Sequence, residues 1–205
     1  MIEKKTLTNE DILHLDQSYR RDFINRLTGA RAAWILGSFH PEHGDNLALF
    51  SSIVHIGANP PLLGIIFRPN MGKLHSLRNI NESKLFSLNS LPIEFKEKIH
   101  STSANWPENH DDLKNLGLEK EHDQNHPVPL IKNASIQILL EPIEAHKIQI
   151  NSTDFLVAKI IKIVIHSENL DSGGLPTPEN LTHVSGLDLY CRVESLESLP
   201  YARAE

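Results

Sequence analysis

The sequence predicts a mainly β fold: an antiparallel sheet closed into a barrel, with helices appended to it. Two observations carry this. Roughly six or seven short apolar segments are bounded by turn residues, and no regular alternation of strand and helix runs along the chain. A third removes the main rival. No glycine-rich loop opens a helix after a strand, which disfavours a dinucleotide-binding doubly wound sheet.

Residues 8–28 read as a helix. Ile12, Leu15, Tyr19, Phe23 and Leu27 recur at steps of three and four, an apolar stripe that would lay the helix on the core. Thr8 and Asp11 have the spacing of a capping arrangement, and Gly29 is a natural stop. "RAAWILGSF" reads as a strand and "HPEHGDN" as a hairpin loop. "NLALFSSIVHIG" then reads as one further strand, broken by Asn59-Pro60-Pro61, because proline cannot donate to a ladder. "LLGIIFR" is the next strand, closed by Pro69. Gly57 and Gly64 mark bulges or places where something approaches the backbone closely.

"KLHSLRNINES" predicts a short helix and "KLFSLNSL" a strand. "IEFKEKIHSTSANWPENHDDLKNLGL" is polar and helix-prone, broken at Pro107 and anchored by Leu113 and Leu116. "EKEHDQNHPVPL" reads as a surface loop. Two strands follow in "ASIQILLEPIEAHKIQI" and "DFLVAKIIKIVIH". In the second, Phe155, Val157, Ile161, Ile163 and Ile165 keep an imperfect period of two, with Lys159 the exception. A turn-rich stretch and a tail without strong periodicity complete a single domain: N-terminal helix at about 8–28, barrel at about 31–166, C-terminal extension at about 167–205.

Composition narrows the function classes. The 205 residues are 40% hydrophobic and 22% charged, ordinary globular values for a chain able to bury a full core. The net charge of −6, without a basic run, argues against a nucleic-acid groove. No apolar run suggests a signal peptide or a membrane span, and a single cysteine, Cys191, fits a reducing cytoplasm. Twelve histidines invite a metal reading, with His40 and His43 in "HPEH" and His110, His122 and His126 in one polar region. One cysteine and no carboxylate–histidine helix motif make a structural zinc site unexpected, so these histidines read as solvated surface and no metal is assigned. Cys191 has no neighbouring histidine or lysine in sequence, so no reactive thiol is indicated.

Candidate binding residues lie between 46 and 78. Alternation puts Asn46, Ala48, Phe50 and Ser52 on one face of their strand and Leu47, Leu49, Ser51 and Ile53 on the other. A hydroxyl on each face needs a partner, from neighbouring backbone or from a planar polar ligand. "FRPNMGKLHSLRN" gathers Arg68, Lys73, His75, Ser76 and Arg78 at the start of a helix, a combination suited to a phosphate.

"NLALFSSIVHIGANPPLLGIIFRP" and "HSLRNINESKLFSLN" resemble the signature of the flavin reductase-like, FMN-binding split-barrel proteins; "SYRRDFINRLTGARAAWILGS" and "VSGLDLYCR" resemble a subgroup. The resemblance implies a split β-barrel and a homodimer with FMN near the subunit interface. It implies that Asn46, Leu47 and Ala48 lie along the isoalloxazine ring, that Ser51 and Ser52 bond flavin or ribityl groups, and that Arg68, His75 and Ser76 hold the 5′-phosphate. Relatives often carry Lys-Asp-Thr where this chain has Leu74-His75-Ser76, which shifts phosphate binding towards Arg68, Lys73 and the helix N-terminus. The implied activity is hydride transfer from NADH or NADPH to flavin, with no catalytic side chain singled out. A non-catalytic FMN electron carrier or flavin store, and a barrel that has lost its flavin, remain alternatives.

Overall fold

Two helices, not one, open the chain: α1 (Asn9–His14) and α2 (Gln17–Arg26). Thr8 and Asp11 form the expected capping box, with the Thr8 N–H donating to the Asp11 carboxylate at 2.8 Å. The helix predicted over 8–28 breaks because Asp16 caps a second one, its carboxylate accepting from the N–H groups of Ser18 and Tyr19, each at 3.0 Å. A short acidic side chain that captures those donors competes with continuation of the helix. The apolar stripe does not reach the core. Neither helix buries a residue, and Leu27 is 65% exposed.

The computed structural model describes residues 3–69, 75–107, 110–121 and 126–203. Its main sheet is antiparallel throughout and contains β2 (Trp34–His40), β3 (Gly44–Phe50), β4 (Ile53–Ala58), β5 (Pro61–Phe67), β6 (Phe86–Ser90), β9 (Ile136–Ile148) and β10 (Thr153–Ile165), in the order β3-β2-β6-β9-β10-β5-β4. The segment expected as one strand over residues 46–57 is therefore two, at opposite edges of the sheet. Only Ser51 and Ser52 connect them, and two residues reach about 7 Å. The edges must meet there, which curls the sheet into a barrel split along that seam. One backbone bond ties the seam to β5, from the Ile66 N–H to the Ser52 carbonyl at 3.0 Å. The crossing also breaks the alternation: Ile53 packs with Phe50 in the barrel interior, while Leu47 and Leu49 pack outside it.

Two cores flank the central strands. The interior is filled by Leu36, Ile65, Phe67, Phe86, Leu88 and Leu140, all fully buried, with α3 (His75–Ser83) contributing Ile80. On the outer side of β2 and β3, Ile35 and Leu47 pack with Ile99 of α4 (Lys96–Ser101), Leu113 of α5 (Asp112–Asn115) and Val184. Val184 belongs to a three-stranded sheet of β1 (Ala30–Ala32), β11 (His183–Ser185) and β12 (Leu189–Cys191), a role for the tail that its weak periodicity did not suggest. The stretch expected as a surface loop is partly core: it holds the short pair β7 (Lys120–Glu121) and β8 (Leu130–Ile131), and Val128 is 1% exposed.

Both flagged glycines have a structural reason. The β4–β5 register shifts between His55 and Gly57. A Cβ on Gly64 would meet the Phe155 ring at 2.5 Å. Among the described residues, no helix is long and apolar enough to cross a membrane.

Candidate functional site

Where the seam opens, a cavity of about 640 Å³ lies against the edge of β3, the end of β5 and the start of α3. Asn46, Leu47, Ala48, Ser51, Ser52, Arg68, His75 and Ser76 all line it; Lys73 lies outside the described residues. The topology explains the convergence. The seam puts the two serines at the corner where β3 ends, and β5 returns beside them to deliver Arg68. The first turn of α3 brings His75 and Ser76 to the same space.

The individual partners refine the expectation. The Asn46 amide donates to the Ser76 hydroxyl at 2.9 Å and lies 3.4 Å from that of Ser38, which also accepts from Asn79 at 3.2 Å. Asn46 therefore locks β3 to α3 with its amide protons. The Leu47 N–H is likewise engaged, donating to Asp112 Oδ2 at 2.7 Å. Since that N–H points away from β2, pleat alternation turns the backbone groups of Leu49 the same way, along the cavity edge. Arg68 donates to the Asn25 side-chain oxygen Oδ1 at 2.6 Å, fixing its guanidinium beside α2.

Several cavity residues carry no binding assignment from the sequence. Asp112 reaches the site from α5; its side chain is only 6% exposed, and its Oδ1 has no hydrogen-bond partner. Burial pushes its carboxyl above the usual range, against the opposing pull of the Leu47 bond. Asp45 is also raised, chiefly by burial, although Lys120 pairs with it at 2.9 Å. Trp106 and His110 stack with centroids 4.3 Å apart and form part of the wall, as does the β11–β12 turn through Gly186, Leu187 and Asp188. Tyr190, behind this wall, is pushed up to about 12 by burial. Arg31, outside the cavity lining, sits close enough to Arg68 for their charges to oppose each other, and among the described residues its Nε and Nη2 have no hydrogen-bond partner. Only the "HDD" run hinted at Asp112, and nothing in its spacing connects it to Leu47.

The histidine cluster differs from the solvated surface expected of it. His40 is 8% exposed, and the ligand atoms of His40, Glu42 and His43 lie within 4.8 Å of one another. Yet His40 Nδ1 accepts from the Glu42 N–H at 3.1 Å, which leaves the proton on Nε2 to face Glu82 at 2.9 Å. One ring nitrogen serves the hairpin and the other ties it to α3.

The flavin reductase like domain family matches residues 28–184. This chain belongs to that family. Solved structures similar to it include a proposed flavin reductase with a split barrel domain from Shewanella frigidimarina, which is 29% identical, covers 97% of this chain and 100% of its own, and superposes with a TM-score of 0.91. Nitrilotriacetate monooxygenase component B from Bacillus cereus is 17% identical with a TM-score of 0.82, covering 97% of this chain and 100% of its own. An FMN-binding protein from Thermus thermophilus, solved with bound 1-cyclohex-2-enone, is 20% identical with a TM-score of 0.72, covering 98% and 100%. No curated protein matches the sequence. The family shares the split barrel and a flavin-related function.

Proposed function

We propose that this protein binds FMN in the seam cavity and uses it to oxidise NADH or NADPH, passing the reducing equivalents to a further acceptor. One observation supports the reading above others: every described residue that the family resemblance associates with FMN lines the same cavity. Its volume of about 640 Å³ lies within the range of small-molecule sites, roughly 300–1,000 Å³. The edge from Asn46 to Ala48 flanks the ring, Ser51 and Ser52 offer hydroxyls to the ribityl chain, and Arg68, His75, Ser76 and the start of α3 hold the phosphate, with Lys73 assigned to the same end. Bound FMN supplies a two-electron acceptor for the nicotinamide hydride. The protein's own part is to orient the ring and to restrict access through the Trp106–His110 wall.

A homodimer fits the exposed apolar side chains of two strands. Val54 on β4 and Ile161 and Ile163 on β10 are 47%, 40% and 55% exposed, an apolar surface that a second copy would cover. The single cysteine remains consistent with a cytoplasmic location.

The test is an FMN titration followed by nicotinamide oxidation. Saturable quenching of flavin fluorescence and loss of absorbance from NADH or NADPH are expected. Failure to bind FMN overturns the proposal; binding without turnover of either nucleotide reduces it to a flavin carrier. Arg68→Ala is expected to weaken FMN roughly 10- to 100-fold, the worth of about 1.5–3 kcal/mol for a charge-assisted bond. Riboflavin, which lacks the phosphate, should bind the variant and the parent alike.

A further inference from the structure

We infer that Asp112 is a specificity-determining residue that accepts a hydrogen bond from an amide-type N–H of the bound ligand. This rests on the flavin reading and extends it to a residue that the family resemblance did not assign.

The geometry is specific. Asp112 Oδ2 is clamped by the Leu47 N–H at 2.7 Å, so the strand that borders the cavity fixes the carboxyl's position. The other oxygen, Oδ1, is buried without a partner, on a side chain that lines the cavity. His110 Nε2 is 3.7 Å from it, beyond hydrogen-bond reach. Buried carboxyl oxygens in folded proteins are rarely left without donors. Among the described residues nothing fills this one, whereas a ligand in the cavity can.

An acceptor in that position discriminates by chemistry. It welcomes an N–H flanked by carbonyls and rejects a bare carbonyl or ring nitrogen, which would set acceptor against acceptor. The oxidised flavin ring carries one such group, the imide N3–H. The nicotinamide ring carries another, the N–H of its carboxamide. Either source presents the same donor, and both enter this cavity under the proposed function.

Ligand-side and protein-side measurements separate the possibilities. Wild-type protein is titrated with FMN and with 3-methyl-FMN by fluorescence, and its KM is measured for the reduced dinucleotide and for the 3-acetylpyridine analogue, which lacks the carboxamide N–H. Asp112→Ala and Asp112→Asn are taken through the same series. Asparagine can still accept from Leu47 but turns an N–H towards the ligand. If the flavin imide is the donor, wild type loses at least tenfold in affinity for the methylated flavin. Asp112→Asn then binds FMN at least tenfold more weakly, and Asp112→Ala binds both flavins within twofold of each other. If the carboxamide is the donor, the tenfold changes fall on the dinucleotide KM values while flavin affinities hold. Wild type that takes both modified ligands within twofold of the natural ones overturns the inference, whether or not the variants fold. Wild type that binds no FMN is a different failure: it overturns the flavin reading itself and removes this inference with it.

Discussion

Phe86→Ala is expected to destabilise the protein by about 3–5 kcal/mol, the usual cost of truncating a fully buried phenylalanine. Phe86 begins β6, a strand flanked by β2 and β9 on its two sides, and it has no exposed surface. Its cross-strand partner is Leu140, and both belong to the interior cluster with Phe67, Ile65 and Leu88. Paired strands hold these neighbours in place, so they cannot collapse into the void, and the cavity cost adds to the lost burial. Urea unfolding followed by circular dichroism measures the loss directly. A change below about 1 kcal/mol would mean that Phe86 does not fill the barrel interior.

Asn89→Ala should cost nearly as much for a different reason. Asn89 is fully buried on the outer face of the same strand, where its amide donates to Ser87 Oγ at 3.0 Å and to the Ile35 carbonyl at 3.3 Å, while its carbonyl accepts from the Ile131 N–H at 2.8 Å. Ser87 in turn donates to the Pro129 carbonyl at 2.5 Å. This polar plug pins β8 and the Pro129 backbone onto the barrel. The crevice is tight: a Cβ on Gly37 would lie 2.7 Å from the Pro129 carbonyl oxygen. Alanine leaves the buried Ile131 N–H unpaired, at about 1–3 kcal/mol, and removes the amide's bonds to Ser87 and Ile35, for an expected total of about 2–5 kcal/mol. The distinguishing readout is local. Amide exchange at Ile131 should accelerate more than exchange in β9 or β10, and uniform acceleration across the barrel would contradict the pinning role.

What could be read from the chain alone follows the range of the interactions involved. The capping box at Thr8 and Asp11 spans three residues and was legible; so were the β2–β3 hairpin, the start of α3 and the two long strands. The break at Asp16 was equally local but hidden, because apolar spacing continued through it. Ser51 and Ser52 sit in a stretch whose composition suits one continuous strand. Only the pairing of β3 with β2 and of β4 with β5, set by distant sequence, shows that the chain changes edges there. Asp112 was out of reach for the same reason. It lies 65 residues from the Leu47 N–H it accepts, and no periodicity spans that gap. The cavity segments on β3, β5 and α3 could be picked out because they are close in sequence. The part of the wall from α5 and the β11–β12 turn could not, because folding alone assembles it.

The isoleucines of β10 lead to a last consequence. Leu156 and Ala158 fill the barrel, while Ile161 and Ile163 further along are 40% and 55% exposed, so this strand stays apolar beyond its buried stretch. If a second copy covers that exposed stretch, folding and association become one equilibrium, and the melting midpoint must climb as the solution becomes more concentrated. Dilution would then act as a mild denaturant.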